Sequence, residues 1–139
     1  MEIELPGAWA YAKVIHFPLM AFYSARPKRI AEVSELQGEC FAFRIWVAKY
    51  AVGKKGWPLI GSLPVSTGES AEQWFFKKDS ISGRISKYRG SDSKEIPSTV
   101  ADCAGLECAA VWDPVHVESR LRDEFAGRPN VWVESMKAK

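Results

Sequence analysis

Asp113 and His116 stand three residues apart in the stretch AAVWDPVHVESRLRDEFAGRPNVW (109–132), with Glu107 just upstream. A histidine oriented by an aspartate is the pair that general-base catalysis uses, and Glu107 offers a second carboxylate. The nucleophile of such a site would have to be Cys103, Cys108 or one of many serines. No GxSxG, HExxH, CxxC, P-loop or GxGxxG pattern stands in the chain, however. Metal binding is no better supplied. His16 and His116 are the only histidines, so a histidine-based site would need both, with carboxylates from distant segments. Neither a metal nor a cofactor is expected.

The element that must position this cluster accounts for it. Asp113 is a good helix N-cap, Pro114 suits the first helical position, and Gly127 stands where a terminating glycine belongs. Val117, Leu121 and Phe125 recur every four residues and mark the expected buried stripe of a helix at about 114–126. Glu118 with Arg122, and Arg120 with Glu124, are spaced for i,i+4 ion pairs. Each charged side chain thus has a structural role, and no catalytic residue is assigned.

Upstream, the pattern is that of strands. WAYAKVIH (9–16) is rich in β-formers, and LMAFYSA (19–25) follows Pro18. In CFAFRIWVAKY (40–50), Phe41, Phe43, Ile45 and Val47 form a wholly apolar face, opposite a mixed face with Arg44 and Trp46. A short strand at 58–65 is expected between two prolines, a fragment at QWFFKKD, and another short strand at 107–113. SISGRISKYRGSDSKEIPS (80–98) reads as a long hairpin, a functional loop or a mobile one. The expected fold is α+β: one domain over residues 1–139, with a curved antiparallel sheet of five to seven short strands and one main helix.

Composition narrows the function classes. Of 139 residues, 47% are hydrophobic and 26% charged, ordinary for a soluble globular chain. Residues 1–64 carry eight Lys/Arg against five Asp/Glu, 65–112 six against seven, and 113–139 five against five. No segment is one-sided enough to mark a nucleic-acid-binding arm or an acidic mimic. The densest basic stretch, with Lys77, Lys78, Arg84, Lys87 and Arg89 among Trp74, Phe75, Phe76 and Tyr88, is diluted by Asp79, Asp92 and Glu95. It lacks an RNP or KH motif, so direct nucleic-acid binding is not expected. The acidic start lacks the basic region of a signal peptide, and the uncharged run 14–25 is too short to span a bilayer, so no membrane association is expected either. Three cysteines without a CxxC pair favour free, buried thiols over a Cys103–Cys108 disulfide and suggest a cytoplasmic protein. Monomer and dimer are both compatible with this composition.

The order of motifs is more specific than any single residue. FAFRIWVAKYAVGKKGWPLIGSLPV, then WFFKKD, then GLECAAVWDPVHVESRLRDEFAGRPNVW resembles the bacterial immunity-protein-26 family of polymorphic toxin systems. The resemblance runs from about Trp9 to Trp132, and its most specific pieces are Trp57–Pro64 and Gly105–Pro114 with the RLRD helix that follows. The chain departs at its start, where Gly7 and Trp9 replace a Gly-Asp-Ile-Phe opening strand.

The resemblance implies a cytoplasmic protein that neutralises a cognate toxin C-terminal domain by binding it, without catalysis. It implies that Trp57, Gly61, Glu107, Trp112, Asp113, Arg120 and Leu121 maintain the fold. Toxin contacts are expected in the loops at 66–73 and 80–98, with Glu69, Glu72, Arg84, Tyr88, Arg89, Asp92 and Glu95 as candidates. Two alternatives stay open: a small phosphotriesterase-like hydrolase, which the same family name also covers, and a nucleic-acid-binding module.

Overall fold

The strand pattern begins two residues into the chain. MEIEL alternates acid and aliphatic, and Glu2–Leu5 forms β1, a strand upstream of the first one expected. Residues 1–70, 73–90 and 92–139 are described by the computed structural model. Among them, nine strands form two sheets, and the chain divides into two compact units.

The first unit comprises Met1–Ser70 and Val111–Asn130. Its curled five-stranded sheet has the order β1-β2-β3-β4-β9, with β2 at Ala8–His16, β3 at Leu19–Tyr23, β4 at Phe41–Val47 and β9 at Val111–Trp112. The first four strands run antiparallel in sequence order, and β9 adds in parallel to β4. The β4 faces fall as the alternation predicts: Phe43, Ile45 and Val47 are buried, while Arg44 and Trp46 are half-buried opposite. Phe43 stacks on Phe22 of β3 (centroids 5.0 Å apart), and Trp57 meets Phe22 edge-on at 5.9 Å. A second apolar cluster joins Tyr11, Tyr23 and Leu36, with Trp9, Ile30, Phe41, Ile60 and Leu63 packed around it.

The main helix, α2 (Pro114–Ala126), has the expected bounds; it follows a four-residue helix, α1 (Thr67–Ser70). Val117 and Leu121 are fully buried and α2 lies against β1, but the stripe ends there. Phe125, expected in the core, is 45% exposed, because the last helical turn is open to solvent.

The second unit comprises Ala71–Ala110 and Val131–Lys139. Its four-stranded sheet, in the order β7-β6-β5-β8, uses β5 (Phe75–Lys78), β6 (Ile85–Arg89), β7 (Lys94–Pro97) and β8 (Glu107–Cys108), and α3 (Val131–Ser135) lies in the same unit. β5, β6 and β7 form an antiparallel meander, so 80–98 takes the long-hairpin form. The β6–β7 hairpin is largely open to solvent, with β6 half-buried and β7 exposed throughout.

Two expected strands resolve differently. Residues 58–65 form no ladder; prolines at 58 and 64 remove two donors, and Glu2 N donates to Pro58 O across 3.1 Å. The expected strand at 107–113 is broken in two by a tight turn in which Ala110 N donates to Cys108 O (2.8 Å). Its first half, β8, pairs in parallel with β5, and its second half, β9, with β4.

Candidate functional site

The Asp113 cluster is the first place to look for chemistry, and its geometry is that of a cap. Asp113 Oδ1 accepts from Val115 N at 2.9 Å, Asp113 Oδ2 accepts from the Tyr50 hydroxyl, and His116 N donates to Asp113 O at 3.0 Å. The Tyr50 and Val115 hydrogen bonds hold the Asp113 carboxyl below its usual range, which makes it a poor general base at neutral pH. At the far end, Gly127 adopts φ 70°, as a left-handed terminating residue does. Arg120 projects onto rings, its guanidinium 3.8 Å from the Phe43 centroid and 5.2 Å from that of Trp112, and Glu124 accepts from Ser24 Oγ (3.0 Å). Stacking of this kind contributes about 0.5–2 kcal/mol, so Arg120 joins the helix to the sheet through packing.

Trp57, Trp112 and Leu121 are buried in the first unit, and a Cβ on Gly61 would lie 2.7 Å from Val33 Cγ2. Glu107 is half-buried on β8 in the second unit. Cys103 is buried, Cys108 half-buried and Cys40 exposed, all as free thiols. Burial, reinforced by Glu107, pushes the Cys108 thiol up and keeps it protonated. Among the described residues, no group of three or more His, Cys, Asp or Glu side chains is placed to hold a metal ion.

Two charge networks in the first unit, one buried and one half-buried, have no counterpart in the sequence reading. Glu2 is 6% exposed. Its carboxylate accepts from Arg29 Nη2 (2.7 Å) and Nε (3.0 Å) and from the Tyr11 hydroxyl (3.2 Å), while Arg29 also covers the Trp9 ring at 4.8 Å. The Arg29 hydrogen bonds outweigh burial and hold the Glu2 carboxyl below the usual range. In the second network, Lys13 Nζ donates to Glu69 Oε2 (2.5 Å) and Pro64 O (2.6 Å), and Arg44 Nη1 donates to Glu69 O (2.8 Å). Glu69, a candidate contact residue, thus has a carboxylate that ties α1 to β2. The alternation in MEIEL was a usable signal for β1, but the burial of Glu2 depends on Arg29 and Tyr11, distant in sequence.

The other candidates lie together on the exposed hairpins of the second unit, except Glu72, which falls outside the described residues. Arg84 is exposed at the β5–β6 turn, where Asp79 Oδ1 accepts from Ile81 N and Ser82 N, both at 2.8 Å. Tyr88 carries Lys77 Nζ 3.6 Å above its ring. Arg89 covers Trp74 at 4.8 Å and pairs with Asp92 (Nη2 to Oδ2, 2.7 Å), which holds the Asp92 carboxyl low. Glu95 accepts from Ser86 Oγ at 2.7 Å. The structure therefore gathers Arg84, Tyr88, Arg89, Asp92 and Glu95 into one region and places Glu69 in the other unit.

The chain thus combines a well-filled α+β scaffold, whose most motif-like cluster is a helix cap, with an exposed, charge-rich β-ribbon. The model of the Immunity protein 26 family matches residues 2–87 of the 139, and the chain belongs to that family. It is an immunity protein, a class directed against toxins. The matched stretch holds the Trp57–Pro64 motif and ends inside β6, before Gly105–Pro114. Searches of curated proteins and of solved structures gave no match. Among the described residues, no helix is long and apolar enough to cross a membrane.

Proposed function

We propose that this chain neutralises a bacterial toxin by binding the toxin's C-terminal domain directly in the cytoplasm, as one immunity domain and without a chemical step of its own. The observation that carries the reading is family membership over residues 2–87. The geometry of the Asp113 cluster supports it, since its polar groups serve helix α2. Binding of this kind requires an exposed face with a few anchors, and Tyr and Arg are the residue types that most often supply them. Arg84, Tyr88, Arg89, Asp92 and Glu95 belong to the exposed hairpins of the second unit and Glu69 to the first, with the toxin contacts drawn from 66–73 and 80–98.

The test is affinity capture from the native cell with tagged protein, followed by mass spectrometry. Stoichiometric recovery of a toxin domain, together with rescue of cells expressing that domain, is the expected result. His116→Ala retains both in this reading. Loss of protection by a folded His116→Ala variant, or wild-type bait that captures no toxin, overturns it and directs attention to phosphotriester hydrolysis assayed with and without added metal.

A further inference from the structure

The register of the second sheet sorts its charges by face. Lys87 lies opposite Phe76 on one side and Ile96 on the other, and Arg89 opposite Lys94; Lys78 pairs with Ile85. Directly paired residues point to the same side and neighbours alternate, so Lys78, Lys87, Arg89 and Lys94 share one face with the buried Phe76 on β5 and with Ile85 and Ile96. Lys77, Tyr88 and Glu95 share the other. The first face thus carries four cations and no carboxylate from its own strands. Arg89 is matched by Asp92 from the adjoining turn, and Lys78 Nζ reaches Lys139 O at 2.7 Å. Lys87 and Lys94 have no carboxylate partner among the described residues. Ile96 is 40% exposed beside them.

We infer that this face, centred on Lys87, Lys94 and Ile96, is where the toxin docks, and that the toxin meets it with an acidic protein surface. The inference rests on the immunity reading and adds the partner's charge and the side of the ribbon it covers. Charge complementarity favours an acidic partner, because cations gathered without acids steer such a surface and repel a basic one. A protein fits better than a nucleic acid. Base stacking requires open aromatic faces, whereas Lys77 covers Tyr88 and Arg89 covers Trp74.

The experiment is fluorescence anisotropy of labelled poly-glutamate, and of a single-stranded oligonucleotide of equal length, titrated with the intact protein. The expected result is poly-glutamate binding that weakens steeply from about 20 to about 200 mM salt. Lys87→Glu/Lys94→Glu lowers that affinity by about tenfold or more, whereas Lys77→Glu, a reversal of the same sign on the opposite face, leaves it within about twofold. Lys87→Gln/Lys94→Gln keeps the aliphatic stems and serves if the double reversal fails to fold. Unchanged affinity in the folded double variant, tighter binding of the oligonucleotide, or no poly-glutamate binding at low salt overturns the inference. Capture of the toxin by wild type and double variant alike removes this surface and leaves the immunity reading standing; capture of no toxin by wild type removes that reading.

Discussion

The two units spend their apolar residues differently. Of the 24 buried hydrophobic residues among those described, only Phe75, Phe76 and Cys103 belong to the second unit. In the first, β3 is buried along its whole length; in the second, β6 is half-buried and β7 exposed. The first unit is therefore a core-driven scaffold in which most positions are set by packing. The second is an exposed ribbon with little core of its own, where side chains can change without a cavity or an overlap. That contrast lets the ribbon's side chains vary while the stability of the scaffold does not.

The sharpest way to break the comparison is to remove core from the first unit. Leu121→Ala should destabilise the chain by about 2–5 kcal/mol, read from chemical denaturation. Melting like wild type would show that α2 is not seated on the core. Next in size is the buried carboxylate: Glu2→Gln should cost about 1.5–3 kcal/mol at neutral pH, because it removes a charge hydrogen-bonded to Arg29. Glu2 has a depressed folded pKa, so its contribution is complete above the unfolded value, near pH 4.3, and disappears as pH falls through the lower folded value. The acid limb of a melting-temperature profile should accordingly be shallower in Glu2→Gln than in wild type.

A smaller effect, about 1 kcal/mol, is expected of Gly61→Ala, whose new Cβ would meet Val33 Cγ2, and Val33→Ala should restore what is lost. Smallest is the ribbon: Lys94→Glu should alter stability by less than about 0.5 kcal/mol. A larger loss there would show that the ribbon is part of the scaffold after all.

What could be read from sequence follows the range of the interactions involved. Helix α2 was legible to the residue because Asp113, Pro114 and Gly127 act within a turn of their own positions. The faces of β4 were legible because alternation is a property of the strand itself. Strand pairing depends on partners far along the chain, so neither the second sheet nor the division of 107–113 between β8 and β9 could be seen locally. Phe125 fitted the helical stripe, but the helix continues past what covers it. Glu69 resembled a free surface carboxylate until folding brought Lys13 beside it. The candidate cluster on the second unit was legible as a composition, Arg84 to Glu95, but its sorting by face required the register.

The edge of that ribbon has a consequence for how the protein behaves in a crowded cell. Ser98 N donates to Ile85 O, so the antiparallel alternation turns the backbone of Ile96 and Lys94 toward β6 and that of Glu95 and Pro97 outward. Pro97 has no amide hydrogen to offer, and Glu95 brings a charge to any strand that approaches. β7 is consequently an inhospitable template for edge-to-edge growth: the ribbon can stay uncovered without recruiting copies of itself into a fibre.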